Sequence, residues 1–208
     1  FDLYSTPPPD VRYSAQYFDG LDFNTAFKLQ PVYPVVEPSG SIRSWVFDTL
    51  TPTDVASASV LPREHIPNLE DLLPITGQLE NAFKQGSRSV QAQLVVGGVV
   101  QNVVWHFVKI RLFIAINNNQ VPVLFSSRLW QHIEEDSVLS GFWHPRFQNL
   151  CIHARIVGFV STLYPAWKCG YLLGEEWVEE DVANTLAEFT YLKNAHSDNP
   201  ANVLILPT

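Results

Sequence analysis

The sequence predicts a mixed α+β fold, and three observations carry that prediction. Apolar residues recur at helical spacing near the C-terminal end, at Val178, Val182, Leu186 and Phe189. Between Ser89 and Val96, apolar Val90, Ala92, Leu94 and Val96 alternate against Gln91 and Gln93, and the run meets the turn pair Gly97-Gly98. Proline concentrates in the first third, where long helices and central strands are disfavoured. The expected organisation is a Pro- and aromatic-rich irregular leader over residues 1–67, then a mixed region over 68–160 with a hairpin and helices. A C-terminal segment over 161–208 carries an amphipathic helix.

Nine prolines between Pro7 and Pro67 break the leader (Pro7-Pro8-Pro9, Pro31, Pro34, Pro38, Pro52, Pro62 and Pro67), yet aromatic residues such as Phe18, Phe23, Tyr33, Trp45 and Phe47 run through it. So aromatic a segment is expected to form extended pieces that dock, on this chain or on a partner. In NLEDLLPITGQLENAF, Pro74 and Gly77 predict short helical turns with breaks. Val90, Ala92, Leu94 and Val96 against Gln91 and Gln93 predict a half-buried strand. Gly97-Gly98 supplies the positive φ of a type I′ turn, and Val99 to Trp105 forms the partner strand.

The run HFVKIRLFIAI fits helix and strand equally, and Asn117-Asn118-Asn119 is expected to end it. Pro122 then opens a second helix reaching Asp136. FWHPRFQ reads as a turn around Pro145, and Cys151 to Val160 as a buried strand. From Gly170 to Lys193 the apolar stripe predicts an amphipathic helix. Acids fill its first turn, Lys193 its last, and Glu179, Glu180, Asp181, Asn184, Thr185 and Glu188 form its wet face.

With 208 residues, 46% hydrophobic and 16% charged, the chain has the composition of a globular protein able to bury one good-sized core. A net charge of −8 disfavours nonspecific binding to nucleic acid or to anionic membranes. No apolar run reaches membrane-spanning length, since Gly97-Gly98 and Gln101-Asn102 interrupt the longest. Cys151 and Cys169 are the only cysteines and no Asn-x-Ser/Thr acceptor occurs, a pattern that fits an intracellular setting, the nucleus included.

The run Trp177 to Asn184, WVEEDVAN, resembles the WLNDEVIN signature that opens the catalytic domain of SUMO-type (ubiquitin-like-protein) cysteine proteases. Trp177, Val182 and Asn184 match by identity, and Val178, Glu180 and Asp181 by chemical kind. The longer stretch from Val157 through TLYPAWKCGYLLGEEWVEEDVANTLAEFTYL to ILPT is similar to fungal, transposon-associated proteins that carry such a domain. The resemblance implies that Trp177 lines a channel for a substrate's C-terminal Gly-Gly tail. It implies that Glu180 pairs with a basic residue on the body of a ubiquitin-like partner.

Two departures bear on those roles. Glu179 stands where the family has Asn, a better N-cap, so the helix is open to an earlier start capped at Gly174. The family's catalytic His, Asp, Gln and Cys all follow this motif, whereas here only Thr185 to Thr208 follow it, without Cys and with Ser197 after His196. The chain begins at Phe1 and contains no Met, so it is expected to be a fragment that is inactive alone.

Other constellations have plainer readings. His106, Asp136 and Cys169 stand in the family's chain order, but Lys168 precedes the Cys where the family has Asp, and the default for Cys169 is a packed thiol. Cys151, His153, Cys169 and His144 could be drawn as a zinc site, yet no short Cys-x2-Cys loop fixes half of it. Gly97-Gly98 lacks the Gly-Lys-Ser/Thr of a phosphate loop. The acids Glu175, Glu176, Glu179, Glu180 and Asp181 read as a solvated helix start, and Glu134, Glu135 and Asp136 as another wet face. Trp143, His144 and Trp167 read as packing. No cofactor and no metal are therefore expected. The two functional expectations are the non-catalytic part of a ubiquitin-like-protein protease, or a non-enzymatic interaction module of a transposon-derived protein.

Overall fold

A computed structural model of the chain describes residues 15–33, 41–49, 66–156, 164–175 and 177–196. Its helices and small antiparallel sheet make an α+β fold. The elements in order are α1 (Ala15–Asp19), α2 (Phe23–Leu29), β1 (Ser41–Asp48), α3 (Leu69–Lys84), β2 (Ser89–Val96), β3 (Val99–His106), α4 (Phe107–Glu135), α5 (Ser137–Phe147), β4 (Arg155–Ile156), β5 (Tyr164–Pro165) and α6 (Glu180–Ala195). Among the described residues, the 3-10 segments Gln30–Val32 and Ala166–Leu173 join them. The chain divides into two units, Phe1–Asp19 with Pro31–Gln120, and Gly20–Gln30 with Val121–Thr208. The division falls inside α4.

The first unit is built on the sheet β1-β2-β3. The hairpin forms as its alternation predicts: Val90 faces Trp105 and Val96 faces Val99, with Gly97 at φ 57° and Gly98 at φ 80°. Val90, Ala92, Leu94 and Trp105 are buried. From the Pro-rich leader, β1 docks on β2 as an edge strand with a bulge between Ile42 and Ser44. Trp45 lies 6.0 Å from Trp105, and Trp105 meets Phe113 of α4 edge-on at 5.2 Å. Phe18 is fully buried and packs edge-on against Tyr33, whose hydroxyl donates to the Ile116 carbonyl at 2.6 Å. These parts of the leader dock on their own unit and are less irregular than expected. Pro7-Pro8-Pro9, Pro34, Pro38, Pro52 and Pro62 lie outside the described residues.

Three sequence expectations about breaks are overturned, for one physical reason. Pro74, Pro122 and Pro145 all sit inside helices, in α3, α4 and α5. A proline frees the carbonyl four residues earlier. Those carbonyls belong to Glu70, Asn118 and Gly141, all on exposed residues where water can satisfy them. The asparagines that were expected to end α4 serve it instead. Asn117 Nδ2 donates to Phe113 O at 2.9 Å and to Pro67 O at 3.0 Å, and Asn119 Nδ2 donates to Ala115 O at 2.8 Å. Of the strand expected from Cys151 to Val160, the described part is broken into an isolated bridge at Cys151 and the pair Arg155–Ile156, because Ile152 and His153 turn; residues 157–160 lie outside the described residues.

In the second unit α2 is capped by Asp22, whose Oδ1 accepts from Thr25 N at 2.6 Å. Ile152 N donates to Leu21 O and Phe23 N to Leu150 O, tying α2 to the segment after α5. Phe23, Ala26, Val123, Trp130, Ile152 and Val182 form its core. Among the described residues, no helix is long and apolar enough to cross a membrane.

Candidate functional site

The site is built on the 3-10 turns Ala166–Leu173. Gly170 is required there: a Cβ would meet the Phe125 carbonyl oxygen at 2.4 Å and the Phe125 Cβ at 2.8 Å. That approach lets the Tyr171 ring lie on Phe125 with centroids 4.1 Å apart, and Trp167 stacks on the same ring at 6.2 Å. The platform is therefore held by aromatic packing.

From it, Lys168 reaches the start of α6. Its Nζ donates to Asp181 Oδ2 at 2.7 Å and to Glu179 Oε2, while the Tyr171 hydroxyl donates to Glu179 Oε1 at 3.0 Å. Burial pulls the Lys168 pKa down, but the two carboxylates outweigh it and the ammonium is held above its ordinary range. Glu179 is the N-cap of α6 yet makes no side-chain bond to the helix, since its carboxylate is spent on Lys168 and Tyr171. The earlier helix start at Gly174 does not form, because Gly174 closes the 3-10 turns.

Lys168 and Tyr171 thus fix Glu179 and Asp181, and they are the residues sequence reasoning missed. No periodicity links a lysine to acids so far along the chain. The acidic cluster splits accordingly: Glu179 and Asp181 are tied down, while Glu175 and Glu180 are exposed. Glu176 lies outside the described residues. Glu180 has no ion-pair partner among the described residues. Just ahead of it Trp177 is 96% exposed, with Val178 40% exposed beside it.

Along α6 the apolar stripe is only half covered. Val182 is fully buried, and so, against expectation, is Thr185, whose hydroxyl donates to Asp181 O at 2.9 Å. Leu186 and Phe189 of the same stripe are 42% and 54% exposed. The helix docks by its first turn and a half and presents the rest.

The candidate catalytic residues each have a local role. Burial raises the Cys169 thiol pKa, the opposite of what a nucleophile requires, and its neighbour is the Tyr164 hydroxyl at 3.9 Å. Asp136 caps α5, accepting from Val138 N at 2.8 Å and Leu139 N at 3.0 Å, and those bonds hold its carboxyl below its ordinary pKa. His106 Nδ1 accepts from Val108 N at 3.1 Å. His196 closes α6, its Nδ1 2.7 Å from Leu192 O. Among the described residues no group of three side chains is placed to hold a metal ion, so Cys151, His153, Cys169 and His144 do not assemble one. His144 lies tilted against Trp130, ring centroids 4.6 Å apart, and Trp143 packs edge-on to Phe147. Comparison with protein-family models, with curated proteins and with solved structures finds no match for this chain.

Proposed function

We propose that this chain is the non-catalytic, substrate-facing part of a SUMO-type cysteine protease, inactive by itself. Trp177 receives the Gly-Gly tail of a ubiquitin-like protein and Glu180 pairs with a basic residue on that protein's body. What supports the reading is one arrangement: an indole almost wholly in solvent, set immediately before an acid-led helix whose Glu180 is uncommitted. Covering such an indole gains roughly 2–5 kcal/mol before ordering costs, so a partner that sheathes it is rewarded. Lys168 holds Glu179 and Asp181 back, which leaves Glu180 as the first-turn carboxylate without an ion-pair partner among the described residues. In the longer enzyme, thiolate attack with His as base would cleave after the tail, using groups outside this chain. An intracellular setting goes with that chemistry.

The test is titration of the 208-residue chain with a ubiquitin-like protein ending in Gly-Gly, followed through backbone amide signals. Shifts at Trp177 to Asp181 are expected, and Glu180→Lys weakens the affinity several-fold. Unchanged affinity in that variant removes Glu180 from the interface. A second reading, a non-enzymatic interaction module of a transposon-derived protein, draws on the exposed Leu186 and Phe189, to which tail recognition gives no role. Binding of that kind would be indifferent to the Gly-Gly tail.

A further inference from the structure

In the first unit a groove of about 200 Å³ opens between the end of α3, the end of β3 and the start of α4, with Arg88 ahead of β2 on its rim. Its apolar wall is Leu79, Phe83 and Phe107, and its polar rim is Arg88, His106 and Arg111. Arg88 is fixed in place: Nη1 donates to Phe83 O at 3.0 Å and to Ser87 O at 2.8 Å, and its guanidinium lies 3.9 Å over the Phe83 ring. Arg111 is exposed, and neither arginine has a carboxylate partner among the described residues. Glu80 also lines the groove, but Lys84 Nζ takes its carboxylate at 2.8 Å. His106 accepts at Nδ1 from Val108 N, which leaves Nε2–H as a donor in the neutral ring. Burial and the Arg88 charge hold that ring below its ordinary pKa, so it is neutral at physiological pH.

Two guanidinium groups without a carboxylate partner among the described residues and an N–H donor therefore share one groove with an aromatic wall, in a protein of net charge −8. We propose that this groove binds a small carboxylate whose body is a single ring, with the carboxylate against Arg111 and Arg88 and the ring against the wall of Phe83, Leu79 and Phe107. The planar fork of arginine suits a carboxylate, and the volume is below the ~300–1,000 Å³ of sites for drug-sized ligands, which limits the body to fragment size. The inference is independent of the role given to Trp177, since every residue of the groove lies in the other unit.

The test uses the full chain and 3-phenylpropionate as probe, with 3-phenylpropanol as its uncharged counterpart. Saturable amide shifts at Phe107, Val108 and Arg111 are expected at millimolar probe, with the alcohol binding about tenfold more weakly. Arg111→Gln lowers the affinity of the acid by about tenfold without loss of folding, because Arg111 is a surface residue. Arg111→Lys, which keeps the charge and loses the fork, falls between the two. Equal binding of acid and alcohol, unchanged affinity in Arg111→Gln, or no saturable shift overturns the proposal.

Discussion

The Lys168 ammonium sits 2.7 Å from the Asp181 carboxylate, and this ion pair fastens the 3-10 turns to the first turn of α6. The Lys168 side chain is 17% exposed and that of Asp181 34%, so screening is partial. Lys168→Met is expected to cost about 1–2 kcal/mol. Hydrogen exchange at Val182 to Leu186 should quicken roughly tenfold, while β2 is unaffected. The pH dependence has a definite sign. A lysine held above its ordinary 10.5 contributes fully below that value and loses its contribution as pH rises through the raised one. The melting difference between wild type and Lys168→Met should therefore be flat through neutral pH and close in strong alkali.

Two glycines separate packing from conformational freedom. Gly170→Ala forces a methyl onto the Phe125 backbone and is expected to destabilise by about 1–3 kcal/mol. Gly141→Ala, within α5 and with nothing within 4 Å of the added carbon, should stabilise by about 0.5–1 kcal/mol. Denaturant midpoints of the two variants should move in opposite directions.

What could be read from the sequence was what local chemistry alone decides. The hairpin was legible because alternation and Gly97-Gly98 agree, and α6 because apolar spacing and end charges agree. The helices through Pro74, Asn117–Asn119 and Pro145 were not, because exposure of the freed carbonyls and side-chain bonds to the helix depend on which way each helix faces. Thr185 took a core position and Phe189 a surface one, since α6 buries only its first turns. The Lys168 clamp on Glu179 and Asp181 could only be seen in three dimensions, because no local pattern links a lysine to acids 11 and 13 residues away.

The thiol of Cys169 should behave as a packed group. Burial raises its pKa above the ordinary 9.0, so the thiolate needed for alkylation appears only at higher pH. In a Cys151→Ser background, the iodoacetamide rate profile should have its midpoint above 9.0. A midpoint near neutrality would revive Cys169 as a nucleophile. Cys169→Ala should leave any peptidase activity of a longer protein intact.

Trp177 is almost wholly exposed, so Trp177→Ala should leave the unfolding free energy within about 0.5 kcal/mol of wild type. The most direct measurement is calorimetric titration of the chain with a ubiquitin-like protein, with and without its last two glycines, against wild type and Trp177→Ala. The account predicts binding to wild type that falls at least tenfold on deleting the glycines or the indole, with no further loss when both are removed. Binding that ignores both the tail and the indole would contradict it.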